Sequence, residues 1–186
     1  MKRVLFILFV FAASNTQAQY NQNSISLKFG SGYVQDFPGL GGYGITGELT
    51  VPMTDRLEGG IGGKWMNMQG YPRTASVKEH TRAATIDFNL YFIPINTDAH
   101  IVRVGAGYAF SFYNIRRSYP VTTHTGTNNQ TSWPVQDVKS KTSGVSLIGE
   151  YEYLLASSNL SLGLRAAWYK AYDQVVYVGP FVGLRF

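Results

Sequence analysis

The sequence predicts an all-β chain: an eight-stranded antiparallel up-and-down transmembrane β-barrel. Three observations predict it. Eight segments alternate apolar and polar side chains with a period of two, the mark of a strand with unlike faces. Each has about the 9–11 residues that a tilted strand needs to cross a bilayer. The connections between them alternate between short turns and longer loops, as in a barrel with turns at one end and loops at the other. Composition agrees, with 13 Tyr, 11 Phe and 20 Gly. After the first 18 residues no apolar run approaches the ~20 residues of a transmembrane helix.

The chain opens MKRVLFILFVFAASNTQAQ. Lys2 and Arg3 form a positive start, Val4 to Ala13 an apolar run, and Thr16-Gln17-Ala18 a small-residue cleavage site, the pattern of a secretory signal peptide. Residues 1–18 are therefore set apart, and residues 19–186 form one barrel domain. That leaves 14 basic against 11 acidic residues, a net charge of +3, which gives no case for nucleic acid. The chain has no cysteine, so disulfides, thiol chemistry and lipid attachment at cysteine are excluded.

In order, the strands are read at 24–34, 43–51, 57–68, 83–92, 101–115, 144–154, 160–172 and 175–186. Pro52-Met53-Thr54-Asp55 turns the second into the third. Residues 93–100, with Pro94, Asn96 and Asp98, join the fourth to the fifth, and Ala156-Ser157-Ser158-Asn159 joins the sixth to the seventh. The other connections are 35–42, 69–82, the extended 116–143, and a short one at Asp173-Gln174. With eight strands, both termini fall at the short-turn end.

One face carries residues such as Leu27, Phe29, Ile61, Phe88, Leu90, Val104, Leu147 and Leu164. The other carries Lys28, Glu48, Glu58, Lys64, Asp87, Arg103, Glu150, Glu152, Arg165 and Arg185, five bases and five acids. A lipocalin-like soluble barrel would turn the apolar face inward, and a membrane barrel turns it to lipid. Three features favour the membrane barrel. Glycines share the charged face, where a narrow eight-stranded interior needs small residues. The equal count of charges suits pairing in an enclosed space. Aromatics gather near strand ends as two girdles: Tyr33, Tyr43, Trp65, Tyr113, Trp168 and Tyr172 towards the loops, and Phe92, Tyr153 and Phe186 towards the turns.

The chain ends GPFVGLRF, with Val182, Leu184 and Phe186 on one face of the last strand. In strand count, loop asymmetry and terminal Phe, the sequence resembles the small OmpA/OmpX-like outer-membrane β-barrels of Gram-negative bacteria. That resemblance implies a bacterial outer-membrane location with extracellular loops and periplasmic termini. It also implies that Val182, Leu184 and Phe186 form the signal read by the barrel-assembly machinery. The peptidoglycan-binding domain that follows the barrel in larger OmpA-type proteins is not expected here.

Function is expected to be structural or interactive, by a monomer without cofactor or metal. The ten charges are expected to form an internal salt-bridge network that plugs the barrel. The alternative is a narrow porin-like channel for small solutes, lined by Arg103, Glu150 and Arg165. The loops are mildly basic, with Arg73, Lys78 and Arg82 against Glu79, and Arg116, Arg117, Lys139 and Lys141 against Asp137. Arg73, Arg116, Arg117, Tyr119 and Trp133 are the candidate loop contacts. Outer-membrane lipid and lipopolysaccharide, whose phosphates charge-assisted contacts can engage, are the expected partners. A third reading is a barrel enzyme acting on lipid A acyl chains. It needs a nucleophile beside a base, and none of His80, His100 and His124 stands in such a pattern, so no catalysis is expected.

Overall fold

A computed structural model of the chain describes residues 24–71, 78–118, 121–125, 128–132, 134–156, 158–171 and 173–186. The strands run β1 (Ser26–Asp36), β2 (Gly41–Thr54), β3 (Leu57–Gly70), β4 (Glu79–Asn96) and β5 (His100–Ser118). They continue with β6 (Val121–Thr125), β7 (Asn128–Ser132), β8 (Val135–Leu154), β9 (Leu160–Lys170) and β10 (Gln174–Arg185). All but β6 and β7 form one closed antiparallel ring, in which each strand lies beside its chain neighbour and β1 closes on β10. Lys28 faces Glu48 on β2 and Gly183 on β10 across that seam. The Phe186 amide donates to the Ile25 carbonyl at 2.9 Å, which brings the last strand against the first at the short-turn end.

Alternation fixes the two faces. Phe29, Phe88, Leu90 and Leu164 are 51–58% exposed on the outer wall, while Lys28, Arg103, Glu150 and Glu152 are at most 3% exposed within. Charges inside and a bare apolar exterior are the inverse of a soluble barrel, and such an exterior is stable only against lipid.

The inner wall depends on missing side chains. A Cβ on Gly163 would lie 2.2 Å from Phe181 Cζ, and one on Gly105 would lie 2.5 Å from Tyr91 Cδ1. Each glycine therefore makes room for an aromatic ring packed across it. At the loop end of β1 the turn is tight. Asp36 Oδ1 accepts the amides of Gly39 (2.9 Å) and Leu40 (2.6 Å), and Gly39 takes φ = 105°, which other residues rarely adopt.

Two expectations need correction. Residues 116–143 are not one extended loop: β5 continues to Ser118, β8 begins at Val135, and β6 with β7 makes a separate hairpin. Outside a bilayer nothing demands apolar alternation, yet the Val- and Thr-rich text still favours extended backbone. Tyr113 does not join the loop-side girdle. It shares the odd-numbered face of β5 with Arg103 and lies 5% exposed inside the barrel.

The loop end is consequently uneven. β5 pairs with β8 up to Ser118↔Val135, whereas β9 meets β8 only from Val145. Residues 135–144 of β8 thus stand above the shorter wall with β5 as their one ladder partner. Lys139 and Lys141 lie on this edge, where charge discourages further strand pairing.

Candidate functional site

The structure brings all ten sequence-selected charges onto the inner wall and joins them. Arg103 sits at the centre of the turn-side half. Its Nε and Nη2 grip Glu58 at 2.7 and 3.2 Å, and its Nη1 contacts Glu152. Arg185 holds Glu152 from the other side at 3.1 and 3.3 Å. Lys28 bonds Glu150 at 2.7 Å, and Arg165 Nε reaches Glu150 at 2.6 Å while its Nη2 contacts Glu48. Asn89 then bridges two acids, donating to Glu48 at 3.0 Å and Asp87 at 2.9 Å, and Lys64 pairs with Asp87.

Aromatic side chains complete this interior. The Tyr91 hydroxyl donates to Glu48 at 2.6 Å. The Lys28 ammonium lies 5.5 Å from the Tyr91 ring and 5.6 Å from Phe181, and Lys64 lies 4.1 Å from Tyr169. Asn89, Tyr91 and Tyr169 were not singled out from the sequence. The signal was available, since Asn89 and Tyr91 follow Asp87 at steps of two and must share its face.

Apolar side chains flank this network towards both ends of the barrel. Ile93, Ile101 and Leu154 cluster at the turn side. On the loop side the rows Met66–Ala83–Tyr113 and Met68–Thr81–Ile115 lie directly above Lys64–Thr85–Ser111. Val34, Leu40, Met66, Met68, Tyr113, Ile115 and Val175 there are each at most 5% exposed. The arrangement can hold charge rigidly.

Above that layer is a small acidic vestibule. Arg117 lies 3.4 Å from Glu79 and 3.5 Å from Asp173. Burial raises the Glu79 carboxyl above its ordinary value, Arg117 draws it back, and Asp173 pushes it up again. Burial likewise raises Asp36, against the two backbone amides it accepts.

The loop-contact expectations divide. Arg117 is corrected from a loop residue to a half-buried one on β5, because odd positions of that strand face inward. Arg116 is also on β5 but faces out, exposed, 4.0 Å from Asp137. Arg73, Tyr119 and Trp133 lie outside the described residues, as do the signal peptide at 1–18 and Tyr172. His80 bonds Asn67, and His100 Nδ1 lies 2.8 Å from the Tyr151 hydroxyl. Val182 and Phe186 face outward on the last strand, with Leu184 on the same side.

No family model matches the sequence, and no curated relative does. Solved structures do. Neisserial surface protein A aligns with a TM-score of 0.60 and 10% identity, over 89% of this chain and 98% of that one. A major outer membrane protein from Thermus thermophilus aligns at 0.57 and 14% identity, over 89% and 100%. The N-terminal β-barrel domain of Pseudomonas aeruginosa OprF aligns at 0.50 and 15%, over 89% and 98%. The fold is that of the small eight-stranded outer-membrane β-barrels of the OmpA/OmpX-like kind.

Proposed function

We propose that the protein is a monomeric integral protein of the bacterial outer membrane, with a structural or surface-contact role and no solute pathway. Its loops face outward and its termini face the periplasm, with residues 1–18 removed on export. Val182, Leu184 and Phe186 present the strand that the barrel-assembly machinery reads. Its contacts are with outer-membrane lipid and lipopolysaccharide, through its basic loop end.

One observation carries this reading. All ten lumen charges are ion-paired, with Asn89 linking the Lys64–Asp87 pair to the others and an apolar cluster above them, so side chains fill the interior. An eight-stranded interior is only wide enough for its side chains to fill. A narrow channel would need the Arg103–Glu58–Glu152 and Arg165–Glu48–Glu150 groups to part and strand charges in a low dielectric, which costs several kcal/mol per ion.

Liposome swelling tests it. Vesicles holding the folded protein are expected to stay as unswollen in isotonic solutions of small sugars and amino acids as protein-free vesicles do. Uptake through the parent protein that Arg103→Ala or Glu150→Ala alters would replace this reading with the channel.

A further inference from the structure

The outer wall of β3, β4, β5 and β8 carries a groove of about 520 Å³ that no spacing in the sequence reveals. Cross-strand register builds it in rows. One row reads Trp65–Ala84–Phe112–Lys141, and the next one towards the loops reads Asn67–Arg82–Asn114–Lys139. Rows on one face are about 7 Å apart and neighbouring strands about 5 Å apart. Ala84 and Asn114 are the short side chains at the centre, so the hollow forms between the rings of Trp65 and Phe112 and below the cations. Its floor is apolar and its upper rim is basic.

Among the described residues neither Arg82, Lys139 nor Lys141 has a carboxylate within 4 Å, whereas Arg116 in the row above faces Asp137. Lys141 leans over the Phe112 ring at 5.9 Å, at the boundary of the two rows. The imidazole of His80, nearby on β4, is held below its ordinary value first by burial and then by Arg82, Arg116 and Lys78. An excess of positive potential therefore sits just above an aromatic band, at the depth where lipid headgroups meet acyl chains.

We infer that this groove is a binding site for a diphosphorylated, acylated glycolipid of the outer leaflet, whose acyl chain lies along Trp65, Ala84 and Phe112 and whose phosphates engage Arg82, Lys139 and Lys141. Arg82 and Lys139 stand two strands apart, about 10 Å between backbones. The long side chains of Arg82 and Lys139 span that width to meet one phosphate between them, which leaves Lys141 for a second phosphate on the same disaccharide. This gives the lipopolysaccharide contact proposed above a defined site and rests on that reading, but its test is separate from transport.

The experiment uses the folded protein in phosphatidylcholine nanodiscs, with native mass spectrometry reading lipid retained as diphosphoryl lipid A, monophosphoryl lipid A or phosphatidylglycerol is titrated in. Diphosphoryl lipid A is expected to be retained at least tenfold more tightly than the other two. The triple variant Arg82→Gln, Lys139→Gln, Lys141→Gln should lose that preference. A basic side chain beside an anionic lipid is worth about fivefold, so three should cost on the order of a hundredfold. Ala84→Trp fills the groove and keeps every charge, and should weaken retention as well, while Arg56→Gln at the opposite end should not. Equal retention of phosphatidylglycerol and diphosphoryl lipid A would overturn the site in favour of plain attraction to anionic lipid. Full retention by the triple variant or by Ala84→Trp would overturn it too. Swelling of vesicles would sink the sealed-lumen reading and leave this result standing.

Discussion

The two halves of the lumen are filled by opposite means. Towards the turns, Arg103, Glu58, Glu152 and Arg185 lie in one ionic network, with Lys28 and Arg165 bonded to Glu150 just above. Towards the loops the same wall positions carry Val34, Met66, Met68, Tyr113 and Ile115, and charged groups return at the vestibule around Arg117. An ionic core holds a fixed geometry but punishes the loss of any member, because the remaining partners are buried charges. An apolar core tolerates substitution more gradually, through cavity formation. The turn-side half should therefore be brittle and the loop-side half forgiving.

The largest effect is expected from Arg103→Met. Glu58 and Glu152 would both lose a buried partner, and removing one member of such a group costs about 3–5 kcal/mol. Urea unfolding in detergent or lipid, followed by tryptophan fluorescence, checks this. A loss below about 1 kcal/mol, the scale of a solvated ion pair, would show that water reaches the network. Met68→Ala, in the apolar layer, should cost about 2–3 kcal/mol, by loss of packing. If it proved as damaging as Arg103→Met, the contrast between the halves would fail. Gly163→Ala should cost about 1–3 kcal/mol because the new methyl meets the Phe181 ring at 2.2 Å. Pairing it with Phe181→Leu should recover part of that loss, and no recovery would place the strain elsewhere.

The smallest effect belongs to the vestibule. The folded chain raises the Glu79 carboxyl, so it holds this proton more tightly than the unfolded chain does. Its contribution is fully present at low pH and is lost as pH rises from the unfolded value through the raised folded one. Unfolding midpoints measured over roughly pH 4–6 should fall with rising pH less steeply in Glu79→Gln than in the parent. An unchanged slope would remove Glu79 from the account.

Much of this was legible in the sequence because a barrel wall obeys one rule. A period of two sorts every strand residue to lipid or lumen, which is why Lys28, Glu48 and Arg165 could be grouped across about 140 residues of chain. The same rule excludes Tyr113 from the girdle, since Arg103 lies an even number of residues before it on the same strand. Two things were hidden for physical reasons. Strand continuation into 135–143 leaves no apolar alternation to read, because those residues leave the bilayer. The outer groove arises from register, and only pairing Ala84 with Trp65 and Phe112 shows that a small residue lies between two large ones.

The central claim, a lumen sealed by charge pairing below and apolar packing above, is tested most directly by single-channel conductance of the folded protein in a planar bilayer. The account predicts a silent bilayer from protein shown to be folded by its heat-dependent gel mobility. A steady conductance that changes on Arg103→Ala would contradict it, because ions would then be crossing a network that a sealed lumen keeps closed.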